Sequence, residues 1–323
     1  LLVACTRDKK TLVTNAFASQ FAMPIMPIPA NNLPSKDRIA LGKYLFYNPA
    51  LSKDSSVSCS SCHLPEHSFT DQRKFSIGSD KQLGTSNSPS LANIGFHPYF
   101  TRAGGVQSLE IQVLVPIQEH NEFNFNLLKI ESRLLQDSYF KKMASQAYPS
   151  KEPYFAITAS IAAFERTLVS NQSRFDQYIQ GLSSLNEQER KGLELFFGSR
   201  TNCSQCHGGF NFTNYTFANN GATQIKNDSG RYQITHRKED IGLFKVPSLR
   251  NIALTAPYMH DGSLNSLRSV LKSYNKGGNS THFNNQTQIK KLHLNENELA
   301  QLEAFLHTLT DMNFVHNPKF KKQ

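Results

Sequence analysis

Two short stretches constrain this 323-residue chain more than anything else in it: Cys59-Ser60-Ser61-Cys62-His63 and Cys203-Ser204-Gln205-Cys206-His207. A Cys-x-x-Cys-His run reads as covalent attachment of haem c, in which two thiols add across the porphyrin vinyl groups and the adjacent histidine ligates iron from the proximal side. A redox disulfide or half of a zinc site uses the same cysteine spacing. Neither accounts for a histidine directly after the second cysteine in both copies. Two such stretches mean two haems, and haem c attachment implies assembly outside the cytoplasm.

The approach to each motif also repeats. Gly42-Lys43-Tyr44-Leu45-Phe46 matches Gly192-Leu193-Glu194-Leu195-Phe196, where a small residue lets helices cross closely while Leu and Phe wall a porphyrin. Ser35 is placed to cap a helix with Ile39, Leu41, Leu45 and Phe46 on its apolar face, ending near Asn48-Pro49; Asn186 and Glu187 open the second, which ends at Gly198. The expected fold is mainly α, two tandem cytochrome c-like domains joined by long loops, each with one covalently attached haem c. The expected boundaries are 1–34 for a lipoprotein-type N-terminus and extended strap, 35–182 for the first haem domain and 183–323 for the second. The length suits two such domains. A long ordered loop is expected from Leu64 to Gly105, helices between Leu109 and Leu182, a helix beginning near Ser266 and a last one from Glu296 to Leu309.

Only 38% of residues are hydrophobic and no apolar run is long enough to cross a bilayer, which argues against an integral membrane protein. Of five cysteines only Cys5 lies outside the motifs. Leu1-Leu2-Val3-Ala4-Cys5 followed by polar residues looks like the end of a bacterial lipoprotein signal, with a buried strand and turn as the alternative. A periplasmic, lipid-anchored protein is therefore expected. The net charge of +10 is spread along the chain, so nucleic acid is set aside; a solvated surface, or one that meets an acidic electron donor, remains. In the proline-rich strap, Met23 and Met26 are candidate haem ligands, with packing along a surface groove the preferred reading.

Beyond the motifs, Asn87 to Asn93, Ser108 to Gln112, Pro116 to Phe123, Phe244 to Asn251 and Thr255 to Gly262 have a familiar order. On these residues the chain resembles the bacterial di-haem cytochrome c peroxidase and MauG family over nearly its whole length. The resemblance implies that peroxide reacts at the amino-terminal haem, assisted by Glu122 and Gln112, with Pro116 shaping the pocket between them. Heterolysis of peroxide needs a proton moved from the inner to the outer oxygen, which a positioned carboxylate performs. Some relatives close that iron with a histidine in the following loop. A gap-free count lands here on Ser79, and His67 lies too near His63 to serve the opposite face, so an open first haem is expected.

At the second haem, the position of the peroxidase methionine is occupied by Tyr274, as in MauG, with Met259 the competing ligand and His260 a support for a propionate. A phenolate favours ferric iron and a low potential. The resemblance further implies calcium between the haems, held by the Asn87 side chain and the carbonyls of Thr255 and Pro257. One departure stands out. Where the family carries Trp-Asp-Gly, this chain reads Thr101-Arg102-Ala103-Gly104-Gly105 and has no tryptophan at all, leaving Tyr99, Phe100 or direct haem-to-haem transfer to conduct. The expected function is reduction of hydrogen peroxide to water with electrons from a small redox protein, a cytochrome c or cupredoxin. The rivals are a MauG-like enzyme oxidising residues of a partner protein and a non-enzymatic di-haem carrier. A homodimer is one assembly the resemblance allows.

Overall fold

Two helix crossings, built the same way, organise the chain. Ser35 accepts a hydrogen bond from the Arg38 amide and opens the helix Lys36–Phe46, which crosses the helix Pro153–Glu165, buried along nearly its whole length. Gly42 lies at the crossing: a Cβ there would fall 1.8 Å from the Ser160 carbonyl oxygen and 2.9 Å from Phe164 Cβ. In the second copy Asn186 caps the helix Glu187–Phe197, its Oδ1 accepting from the Glu189 amide while the Glu189 carboxylate accepts from the Asn186 amide. That helix crosses Glu296–His307, and a Cβ on Gly192 would fall 1.9 Å from the Gln301 carbonyl oxygen and 2.9 Å from Phe305 Cβ. The internal repeat in the sequence is thus a repeat of one packing unit, and in each copy a Cys-x-x-Cys-His stretch follows the glycine-bearing helix.

The structure, a computed structural model, describes residues 17–221, 228–278 and 289–322. The expected lipid-accepting Cys5 lies outside them. Among the described residues no helix is long and apolar enough to cross a membrane. Helices predominate, with one antiparallel pair of two-residue strands, Phe217–Ala218 against Phe244–Lys245. The 64–105 stretch is an ordered loop pinned by single bridges at Leu64 and Thr70, Ile77 and Leu83, and Phe100 and Val106. The strap is extended, and its methionines pack on the surface: Met26 lies against Gly95, and Met23 Sδ accepts from Asn171 Nδ2 at 3.8 Å.

One apolar cluster gathers around Leu41, Leu45 and Ile157, another around Phe175, Phe212 and Phe305. A third joins the last described residues to the surroundings of the first motif. After the expected last helix come a short helix, Met312–Val315, and a turn, Pro318–Phe320, that periodicity had not marked. They bring Phe314, Val315 and Phe320 against Phe46 and Phe69 of the first motif's surroundings, and the Tyr47 hydroxyl donates to the Phe320 carbonyl. Elsewhere the buried pair Arg250–Asp176, closed by hydrogen bonds of 2.8 and 3.0 Å, ties the helix Arg174–Ile179 to the loop after the second motif, since Arg250 Nε also donates to the Phe210 carbonyl.

Candidate active site

In the first motif a single helical turn, Cys59–Cys62, puts the two thiols on one face, and the Ser58 amide donates to Ser61 Oγ at 3.0 Å to fix the start of the turn. His63 ends it, its amide donating to the Cys59 carbonyl. His63 Nδ1 lies 2.8 Å from the Phe69 carbonyl oxygen and must donate to it, so the lone pair is carried by Nε2. In the second motif the turn Cys203–Gln205 does the same work: the His207 amide donates to the Cys203 carbonyl, and His207 Nδ1 lies 3.1 Å from the Phe212 carbonyl oxygen.

Both accepting residues, Phe69 at φ 62° and Phe212 at φ 49°, are fully buried and left-handed, a conformation that costs a non-glycine residue about 1–3 kcal/mol. The repeated strain turns one carbonyl toward each imidazole. Sequence reading passed over both phenylalanines. The available signal was an aromatic residue five or six positions after each motif histidine.

The thiols fit haem attachment better than the rival uses of this spacing. Burial pushes the Cys59 thiol up, Cys62 up to about 11, and Cys203 and Cys206 up as well. Redox-active pairs instead lower a thiol to stabilise its thiolate. Among the described residues no cluster of three or more His, Cys, Asp or Glu could hold a metal ion, so zinc lacks its further ligands. Two neutral thiols on one turn beside an imidazole with an oriented Nε2 suit a porphyrin and its iron.

Among the residues that the resemblance sets opposite the first proximal histidine, Ser108 caps the helix Leu109–Gln112, and Glu110 anchors it through bonds to Arg166 at 2.7 and 3.1 Å and to Asn32 at 2.8 Å. Gln112 follows on that helix, and its Oε1 is buried without a hydrogen-bond partner. Such an orphan acceptor is costly unless a ligand or water completes it. Pro116 lies in the next turn, its carbonyl accepting from the Phe123 amide. Glu122 is an exposed residue, yet desolvation of its carboxyl by the surrounding chain, with Glu119 adding its charge, pushes it up to about 7. Its field reaches both Cys59 and Cys62, which locates it beside the first motif.

Ser79 is fully buried and braces Glu122: its amide donates to the Glu122 carbonyl at 2.7 Å and its hydroxyl to the Phe123 carbonyl at 3.0 Å. Thus the position where some relatives carry a closing histidine here fixes the backbone of the candidate acid. His67 lies in the turn Pro65–His67, against the carboxy-terminal helix.

At the second motif, Tyr274 and Met259 converge on one amide: Asn220 Nδ2 is 3.2 Å from the Tyr274 hydroxyl and 3.4 Å from Met259 Sδ. Burial raises the Tyr274 phenol, the Asn220 bond opposes that, and the fields of Cys203 and Cys206 reach it. His260 stacks on Phe244 at 4.1 Å and accepts from the Asn87 amide through its carbonyl. Of the residues expected to hold calcium, Asn87 turns both its oxygens to Arg102, whose Nη2 donates to the Asn87 carbonyl at 2.7 Å and lies 3.4 Å from Oδ1.

Comparison with known proteins agrees with this geometry. The di-haem cytochrome c peroxidase family matches residues 36–184. Methylamine utilization protein MauG of Methylorubrum extorquens is 34% identical over 94% of this chain and 87% of its own length. Cytochrome c551 peroxidase of Nitrosomonas europaea is 33% identical over 89% and 84%. The crystal structure of a MauG-like protein associated with microbial copper homeostasis superposes with a TM-score of 0.85 at 34% identity, covering 93% of this chain and 98% of that one. With twin haem-attachment turns, oriented proximal imidazoles and relatives matched over most of their length, this chain belongs to the di-haem cytochrome c peroxidase and MauG family.

Proposed function

We propose that the chain reduces hydrogen peroxide to two waters, taking two electrons from a small redox protein and two protons from solvent. Residues 35–182 carry the peroxide-reactive haem on Cys59, Cys62 and His63, and residues 183–323 carry the electron-accepting haem on Cys203, Cys206 and His207. Haem iron, when bound, supplies the Lewis acidity and the electrons that break the oxygen–oxygen bond. The observation that carries the reading is the twin motifs with their oriented imidazoles, the first of them within the field of the Glu122 carboxylate. Held at about 7, Glu122 takes the proton of the inner peroxide oxygen and returns it to the departing one. The unpaired Gln112 Oε1 accepts the remaining peroxide or water proton and so orients the substrate. Rapid-mixing measurement of peroxide consumption by the di-haem protein tests this: Glu122→Gln at wild-type rate removes the assignment.

A second reading, oxidation of a partner protein in the manner of MauG, is favoured by one feature, Tyr274 beside the thiols of the second motif. The Asn220 amide stabilises a phenolate there by donating to it. Tyr274→Met, followed by paramagnetic resonance of the oxidised protein, shows whether Tyr274 ligates iron: an unchanged second-haem signal excludes it. Steady-state assay with peroxide and a reduced cytochrome then separates the two activities, because the peroxidase turns over on the cytochrome alone. Haem c attachment supports a periplasmic location, and we read Cys5 as the lipid anchor. The mass of the N-terminal peptide of the mature protein reports the lipid, and an unmodified Cys5 removes it.

A further inference from the structure

We propose that the guanidinium of Arg102 takes the place of the calcium ion expected between the haems, so that this chain carries its inter-haem cation as a side chain and binds no calcium there. A calcium ion asks for about six to eight oxygen ligands with lone pairs aimed at it. The one side chain expected to ligate it is turned to another partner. Asn87 Nδ2 donates to the Arg73 carbonyl at 2.8 Å, which directs Oδ1 toward Arg102, and the Arg102 guanidinium also takes the Asn87 carbonyl.

The surrounding charge is arranged for a cation that is already present. The charges of Asp228 and Asp261 act on the buried Arg102 guanidinium. A second cation lies near it: Lys245 Nζ donates to the Tyr99 carbonyl at 2.7 Å and lies 3.2 Å from His97 Nδ1. Burial and the charge of Arg102 bring that amine down to about 8. A divalent ion beside Asn87 would face both positive side chains at short range in a poorly screened interior.

The placement of Arg102 matches a bridging role. Its carbonyl accepts from the Lys245 amide, and Asn87 receives its guanidinium and binds the His260 carbonyl. The next residue, Ser88, donates to the Cys62 carbonyl at 2.8 Å and lies 3.4 Å from His63 Nδ1. Arg102 therefore joins the 244–245 strand, the loop holding His260 and the segment that supports the first proximal histidine. This is the work an inter-haem metal would do.

The test begins with the purified di-haem protein, assayed for calcium as isolated and recorded optically before and after dialysis against EGTA. The expected result is far less than one calcium per chain and haem spectra that neither EGTA nor added calcium alters. In Arg102→Ala the Asn87 oxygens are freed with Asp228 and Asp261 left uncompensated. Affinity for terbium, a luminescent calcium probe, should rise on the order of tenfold or more, and Arg102→Lys, which keeps the charge, should not show the gain. Stoichiometric calcium in the wild-type protein whose removal shifts the haem spectra overturns the proposal. So does an Arg102→Ala protein with two haems and wild-type terbium affinity. Should Arg102→Ala fail to fold, the wild-type calcium content decides. Metal content is read independently of peroxide turnover, so failure here is distinct from failure of the peroxidase reading.

Discussion

Glu122 and Glu165 are both raised by burial, with opposite consequences. The Glu122 carboxyl, held at about 7 beside the first motif, must be ionised to take the first proton of peroxide. The bimolecular rate with peroxide should therefore rise with pH through about 7. Glu122→Gln should flatten that profile and lower the rate by roughly 10²–10⁴-fold, as rapid mixing across the pH range will show. Glu165 is buried in the helix Pro153–Glu165, and burial pushes it from 4.5 up to about 8. Its native form holds a proton that the unfolded chain releases above 4.5, so its contribution is fully present below 4.5 and is lost as pH rises toward about 8. The slope is at most about 1.4 kcal/mol per pH unit. Glu165→Gln should make thermal stability less sensitive to pH across that window. At this scale the sequence was legible where chemistry is written in spacing, as at Cys59, Cys62 and His63. It was not legible for Ser79, Phe69 or Phe212, because their value lies largely in where their backbone groups are aimed, which residue identity does not encode.

Gly42 and Gly192 hold the two halves of the repeat to one design. Each lets a helix reach the backbone of its partner, and a methyl group at either site would overlap a carbonyl oxygen at under 2 Å. Gly42→Ala and Gly192→Ala should each cost about 3 kcal/mol, the upper end for overpacking a close crossing. Because the crossings are separate, each variant should disturb the spectrum of the haem on its own helix first; calorimetry and optical spectra check both statements. These helices were readable because capping residues and apolar faces are local properties, as Ser35, Asn186 and Ser266 show. Met312–Val315 was not, since four residues offer no period to detect and its apolar face is matched by residues such as Phe46 and Phe69, far away in sequence.

The chain as a whole closes on itself through its last described residues. Phe314 and Phe320 pack on Phe69, whose carbonyl orients His63, so the carboxyl-terminal turn supports the first proximal ligand from the far end of the sequence. Phe320→Ala removes a buried ring at a cost of about 3–5 kcal/mol. It should shift the ligand-binding spectrum of the first haem while leaving that of the second near wild type. The sequence suggested two consecutive lobes, and nothing along it hints that its final aromatics belong beside the first motif. Bisecting the gene between codons 182 and 183 would therefore not liberate a self-sufficient peroxide-binding half. The amino-terminal product would lack the plug that only the opposite extremity provides, and would need that peptide supplied in trans to mature.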